Sequence, residues 1–567
     1  MTEFFLRASC LRLAVFAVAL ICAPVLAVAD EGSEHHHHDM TAEVEGLGAV
    51  HFPVTCSAAV QPAFDRAMAF LHSFGYEQAR LGFQDVARQD PRCAMARWGE
   101  AMSWYHPIWA PPTPAELAAG TEAAAAAAAL PTGDAREAAY VAAIRAFYSD
   151  AGTADHKTRA GRYRDAMRAV TEKFPQDDEA QILYALSLVG TAPPSDPTLA
   201  QQKQAAAILN GLLATHGRHP GVIHYHIHAF DYPSTASLAL DAARQYASIA
   251  PLSAHARHMP SHIFTRLGLW QESIASNWSS VEAAQARVAR IHPGTTAFDA
   301  MHAYDYLEYA YLQLGQDARA REVRDTVART SELDDAQFAA GFALAAVPAR
   351  YALERHQWRE AAVLELPPMA ARMRWEQYVY AEAILPFTRA VGAARSGDAA
   401  AARAALSQLD AVKAKLAAAP PAGAYDWVGQ VESLRLAAAG WLARAEGRND
   451  EALRLLTQAA ELEDRVGKHS VTPGALLPAR EQLGDLLLEL DKPADALAAY
   501  DTALRSAPRR FNSLAGAARA AQLAGQAERA RELTAQLREL CGAGCERAEG
   551  KASSAPAAAA SSGSPRS

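Results

Sequence analysis

From Leu483 to Pro508 the chain alternates large and small residues in a pattern that two antiparallel helices satisfy together. Leu483, Gly484 and Leu487 fall on a first helix, and Ala496, Tyr500 and Ala503 on a second, before Pro508. The small residues let the two helices approach closely, the large ones fill the groove between them, and the proline ends the second helix.

That order of large, small, large, then small, large, small and proline is the tetratricopeptide pattern, and it recurs. Gly525, Ala530 and Leu537 continue it, and Gly447, Ala452, Leu456 and Ala459 fit it. So do Leu307, Tyr311, Gly315 and Ala320, and near the start Ala79, Phe83 and Pro91. Gly268, Trp270 and Asn277 mark another turn between helices, as does Gly397-Asp398, with weaker copies at Val170–Pro175 and Trp358–Ala361. The expected fold is all-α, a tetratricopeptide-type helical repeat superhelix (an α–α solenoid) of about eight to ten helix pairs. Ala123–Ala129, inside Glu116–Leu130, reads as an Ala-rich helix inserted in the array.

Because Ala- and Leu-rich helical segments run almost end to end, one repeat domain is expected, without separate cores. The ends differ. Residues 1–29 have the layout of a secretory signal: Arg7 and Arg12, an apolar Leu13–Ile21, then Ala27-Val28-Ala29 before Asp30. The apolar stretch is short for a membrane span, and no other segment qualifies. Residues 30–50 are expected to form a disordered polar arm carrying His35–His38, residues 51–545 the array, and residues 546–567 a disordered Ala/Ser/Pro tail. A periplasmic or secreted protein follows. Removal of the signal leaves Cys56, Cys93, Cys541 and Cys545. In an oxidising compartment an even number favours disulfides, with Cys56–Cys93 the expected bridge and Cys541–Cys545 a small terminal staple. The formal net charge is −9 over 567 residues with no Lys/Arg-rich block, which argues against nucleic acid as a partner.

The wording of the chain is also familiar. His51-Phe52-Pro53-Val54-Thr55-Cys56 is followed by Leu71-His72-Ser73-Phe74-Gly75-Tyr76, Asp90-Pro91-Arg92-Cys93 and His106-Pro107-Ile108-Trp109. Later come Ile227-His228-Ala229-Phe230-Asp231 and His255-Ala256-Arg257-His258-Met259-Pro260-Ser261-His262-Ile263-Phe264. Together these resemble a family of secreted bacterial tetratricopeptide-repeat proteins with a His-rich HxxHMPSHIF-type motif. The resemblance spans nearly the whole mature chain. It implies the fold and an exported location, and brings no activity with it.

Six of the twenty histidines lie between His224 and His262, in a repeat type whose pattern needs none. On a helix His224 and His228 share a face while His226 points away, and a pair at that spacing presents two imidazoles to one ion. Asp231 is near enough to act as an oxygen ligand or to orient a ligand. His255, His258 and His262 line a second stripe, interrupted by Pro260, where the helix must kink or restart. Helices one pair apart are neighbours, so the two groups are expected to face each other, with Asp299 and His302 joining from the next layer. A zinc or copper site from His224, His228, Asp231, His255, His258, His262 and His302 is the candidate. The competing reading makes these ordinary buried histidines, hydrogen-bonded to carbonyls and carboxylates. No catalytic motif is present, neither His-Glu-x-x-His nor Gly-x-Ser-x-Gly.

Trp104, His106 and Trp109 sit in an aromatic, proline-broken stretch that forms either a ligand-contacting edge of the groove or core filling. The expected function is an exported scaffold that binds a protein or peptide partner and carries a His-rich metal site. The alternative is a metal-dependent hydrolase or metal-handling protein at the same histidines.

Overall fold

The computed structural model describes residues 46–542 and 547, apart from 109, 194, 195, 420–422 and 424. The chain divides into Met1–Met40, which lies outside those residues, and Thr41–Ser567. The expected signal in residues 1–29, His35–His38, Trp109, Cys545 and the expected tail from residue 548 therefore fall outside the described part.

The described residues form an all-α repeat of paired helices, with no strand among them beyond a single bridge between Thr296 and Leu333. The pattern that announced the array sits where expected. Leu483, Gly484 and Leu487 lie on helix Ala479–Glu489, and Ala496, Tyr500 and Ala503 on helix Pro493–Ser506. Tyr500 is fully buried, and a Cβ added at Gly484 would stand 2.7 Å from its ring, so the small residue is what admits the large one. The next pair, Phe511–Leu523 and Ala527–Cys541, turns at Gly525 with φ 75°, and the pair Trp427–Ala445 and Asn449–Val466 turns at Gly447 with φ 79°. That left-handed conformation is the one a side chain resists, which explains why glycine marks these turns. The Ala-rich insert is a helix, Pro114–Ala129, opened by a capping box between Thr113 and Glu116.

Residues 46–50 depart from the expected arm. Leu47 is fully buried, Gly46 O accepts from Leu252 N at 3.1 Å, and Ala49 N donates to Arg218 O at 2.9 Å. An apolar side chain with core to reach, and a backbone with partners to meet, ends the polar arm earlier than composition suggested. Cys56 and Cys93 are joined as a disulfide. Cys541 is also disulfide-bonded. No helix among the described residues is long and apolar enough to cross a membrane.

The apolar interior is two clusters, one running from Phe52 to Phe264 and the other from Ala254 to Cys541. Both draw on residues 254–264, the histidine-bearing segment. A long non-helical stretch, Gly467–Pro478, lies against this seam: Tyr306 Oη donates to Ser470 O at 2.9 Å, and Arg350 Nη2 to Thr472 Oγ1 at 3.2 Å.

Candidate metal centre

Four helices bring the histidines together: Pro220–Phe230, Ala254–His258, Pro260–Leu267 and Phe298–Gln313. Every residue of Pro220–Phe230 is buried, as for a helix that is apolar on all sides, yet it carries His224, His226 and His228. His226 turns away and meets Asn210 Oδ1 at 2.8 Å. The chain then breaks as Pro260 requires, since proline offers no N–H to the carbonyl of Ala256, and a new helix starts with Pro260 as its first residue. The break divides the expected stripe. His255 turns toward His224, while His258 and His262 face each other.

The first cup is His224, His228 and His255, all buried. His224 Nε2 stands 3.1 Å from His255 Nε2 and 3.2 Å from His228 Nε2. His224 Nδ1 lies 2.7 Å from the carbonyl oxygen of His72. A carbonyl only accepts, so Nδ1 carries the proton and His224 Nε2 is a bare lone pair. Burial pushes the His224 imidazole down to about 3, so it is neutral. Two neighbouring nitrogens thus converge on one lone pair.

The second cup is His258, His262 and His302. Its hydrogen bonds assign the tautomers more sharply. His258 Nδ1 is 2.6 Å from Asn277 Oδ1, and the Asn277 amide nitrogen donates to Ser273 O at 2.7 Å, which holds the oxygen toward the imidazole. His262 Nδ1 donates to Asp231 Oδ2 at 3.0 Å. Both Nδ1 atoms are donors, so both Nε2 atoms are bare, and they stand 3.0 Å apart. No proton is left to join them, and burial, which holds both imidazoles below their usual range, opposes adding one. The ring of His302 packs on that of His258 at 4.3 Å between centroids. Around an ion with bonds of about 2.0–2.1 Å to imidazole nitrogen, neighbouring ligand atoms sit roughly 3.3 Å apart. The pairs His224–His255 at 3.1 Å, His224–His228 at 3.2 Å and His258–His262 at 3.0 Å come near that spacing, and in each cup the three donor atoms lie within 4.8 Å of one another.

A third group of buried donors provides the contrast. His72, Glu179 and His219 lie equally close together, but their hydrogen bonds close without an ion. His219 Nδ1 accepts from Gly221 N at 3.1 Å, and its Nε2 donates to Glu179 Oε1 at 2.9 Å. His72 Nε2 donates to Glu179 Oε2 at 3.1 Å, which leaves Nδ1 to accept from Tyr225 Oη at 3.0 Å. Burial alone would raise the Glu179 carboxyl; the two imidazoles beside it hold it below the usual range. This group is architecture.

Asp231, which follows helix Pro220–Phe230, is placed to orient a ligand. Besides His262 it receives Arg266 Nε at 2.8 Å and Lys468 Nζ at 3.3 Å. Such a carboxylate fixes the ring of a ligating histidine and raises its basicity. Asp299 stands apart from the cups and faces Arg287 at 3.7 Å. Aromatic rings back both cups: Phe74 lies 4.3 Å from His224 and 5.4 Å from His255, and Tyr306 lies 4.7 Å from His258 and 5.1 Å from His262, between centroids.

The first cup reaches a cavity of about 850 Å³ through His228, with Asp231, Arg266 and Lys468 on the same wall. Burial pushes the Lys468 amine down to about 8, against Asp231, which raises it. His106, Pro107 and Ile108 also line it, whereas Trp104 packs under the Arg80 guanidinium at 4.7 Å. The remaining lining is largely apolar and aromatic, including Tyr232, Tyr380 and Trp427.

Of the residues that sequence spacing nominated, the structure brings all six metal-candidate histidines into two cups and sets Asp231 behind one of them. Spacing missed Asn277 as the partner of His258, and it missed Lys468, which arrives from a loop 237 residues beyond Asp231. Among solved structures, the chain is similar to the anaphase-promoting-complex hetero-tetramer Cut9–Hcn1, at 12% identity over 85% of this chain and 88% of that one, TM-score 0.33. It is also similar to a monomeric IFIT1 mutant with Gppp-AAAA, at 12% identity over 89% of this chain and 100% of that one, TM-score 0.39. No protein-family model and no curated protein matches the chain.

Proposed function

We propose that this protein is an exported metalloprotein whose helical repeat frame holds transition-metal ions, copper or zinc, in two adjacent three-histidine cups, the first of which meets a cavity through His228. One observation carries the reading: the Nε2 atoms of His258 and His262 face each other at 3.0 Å while both Nδ1 atoms are donating elsewhere. Two bare lone pairs at that distance repel unless a cation lies between them. In the His72–Glu179–His219 group, by contrast, each proton has an acceptor. Export is supported by the signal-like pattern in residues 1–29 and by the Cys56–Cys93 disulfide. The repeat frame also supports a protein or peptide partner, since such arrays present broad inner surfaces, and the aromatic cavity wall of Tyr232, Tyr380 and Trp427 suits one. A hydrolytic role lacks support, because Asp231, the carboxylate beside the cups, is already held by His262, Arg266 and Lys468.

The test is elemental analysis of the full chain with His35, His36, His37 and His38 changed to serine. About two ions per chain are expected, one per cup. His258→Gln should remove about one of them, with the helical content kept. No retained metal after reconstitution would return the histidines to architecture. In that case His258→Ala should only lower stability, by about 1–3 kcal/mol for the unmet buried partner.

A further inference from the structure

We propose that the two cups work together as one dinuclear copper centre whose exchangeable ligand is dioxygen drawn from the cavity. This rests on the metal-binding reading above and adds to it the identity of the ion, the coupling of the two sites and the ligand.

The first argument is charge. All six donors are imidazoles, and a ligating imidazole offers the lone pair of a neutral ring. Asp231, the carboxylate beside them, is already neutralised by Arg266 and Lys468. Two divalent ions would bring four positive charges into a site with no anionic ligand, and burying uncompensated charge is costly. Two cuprous ions bring half that charge. Cuprous copper also accepts three ligands without a fourth, and at imidazole sites copper stands at the top of the divalent affinity order when oxidised.

The second argument is proximity. The cups are neighbours: ring centroids of His228 and His262 are 5.8 Å apart, and those of His255 and His258 are 6.1 Å apart. Each ion would sit about 2 Å beyond its Nε2 atoms. Residues 254–264 supply ligands to both cups, so the pair is built as one unit. Phe74 and Tyr306 brace the rings from either side.

The third is access. His228 is both a ligand of the first cup and part of the cavity wall. Dioxygen is small and uncharged, and it enters a cavity with aromatic wall residues without shedding a hydration shell. Its reduction to peroxide needs two electrons. Each cuprous ion gives one, the O–O bond order falls from two to one, and the peroxide dianion stays bound between two cupric ions. No proton is consumed, and the dianion supplies the negative charge that the oxidised centre lacks.

The experiment loads the full chain, carrying the His35–His38 serine changes, with copper under ascorbate and argon, removes the excess, and then admits dioxygen. Expected are about two coppers per chain, uptake of about one dioxygen for each pair, an intense new near-ultraviolet charge-transfer absorption, and a Cu(II) spin-resonance signal below about a tenth of the copper. His302→Gln keeps the first cup, so it should hold about one copper per chain, take up no dioxygen and show that copper fully in the resonance spectrum after oxidation by ferricyanide. A wild-type signal accounting for all the copper, as two independent Cu(II) ions, overturns the coupling. So does uptake of zinc to two per chain with copper held no more tightly, and that result leaves the metal-binding reading standing. No metal of any kind defeats both.

Discussion

Which ring nitrogen carries the proton is decided at each histidine by its nearest backbone, amide or carboxylate neighbour. His219 and His72 find partners for both nitrogens; His258 and His262 spend Nδ1 on Asn277 and Asp231 and leave Nε2 without a proton, while His224 spends Nδ1 on His72 O and turns Nε2 to His228 and His255. Composition treats these residues alike. Their roles separate only when the second nitrogen is followed to its partner. The same holds for Glu463 on the cavity wall, which burial pushes up to about 7. Its folded value lies above the unfolded one of 4.5, so the folded state binds more protons between those values and stability is lost as pH rises from 4.5 through 7. Glu463→Gln keeps an oxygen to accept from Ala479 N, the contact Glu463 makes at 2.8 Å. The variant should match wild type near pH 4 and exceed it at pH 8 by roughly 1–3 kcal/mol, the lower end reflecting solvent in the cavity. Denaturant melts at the two pH values measure it, and an equal offset at both would assign the effect to packing.

Helix pairs were legible because their rules are local. Spacing placed Gly268 and Gly397 at turns, and both adopt the left-handed φ that favours glycine. It placed Gly484 and Tyr500 on the two helices of one pair, and in the structure the missing Cβ of Gly484 is the space the ring occupies. Gly484→Ala should therefore cost about 1–3 kcal/mol through overpacking, although alanine is the better helix former. A melting temperature unchanged or raised would mean that the Tyr500 ring yields more easily than its bond to Asp485 Oδ1 at 2.5 Å suggests. The single-stripe expectation for His255, His258 and His262 met a limit of the same local rules. Pro260 announces a break, but the direction of the restarted helix depends on what it packs against. That direction sends His255 to one cup and His262 to the other.

At the scale of the molecule, distant segments are joined by buried charge. Arg510 Nη2 donates to Glu354 Oε1 at 2.7 Å and Glu481 Oε1 at 3.2 Å, and Arg510 Nη1 donates to Tyr309 Oη at 2.9 Å. The arginine and both carboxylates are essentially fully buried. Arg510→Met would leave two buried carboxylates without their cation, and a loss of about 3–5 kcal/mol is expected, with acid partly restoring stability as Glu481, whose carboxyl burial raises, protonates. Equilibrium unfolding at pH 7 and pH 5 tests this, and a near-neutral effect at both would mean that solvent reaches the pair. The joint matters for the site, because Tyr309 shares helix Phe298–Gln313 with His302 and Tyr306.

The sequence by itself determined the helical class, the positions of the turns, the Cys56–Cys93 bridge and the six histidines worth following, because helix pairing, turn geometry and short spacings act over a few dozen residues. Only the tertiary structure decided that those histidines form two cups, that His72 and His219 belong to a closed network, and that Lys468 completes the setting of Asp231. These outcomes depend on which nitrogen finds which acceptor across gaps of up to 237 residues. Hydrogen bonds and ligand cups are set by ångström-scale placement, which repeat spacing does not encode.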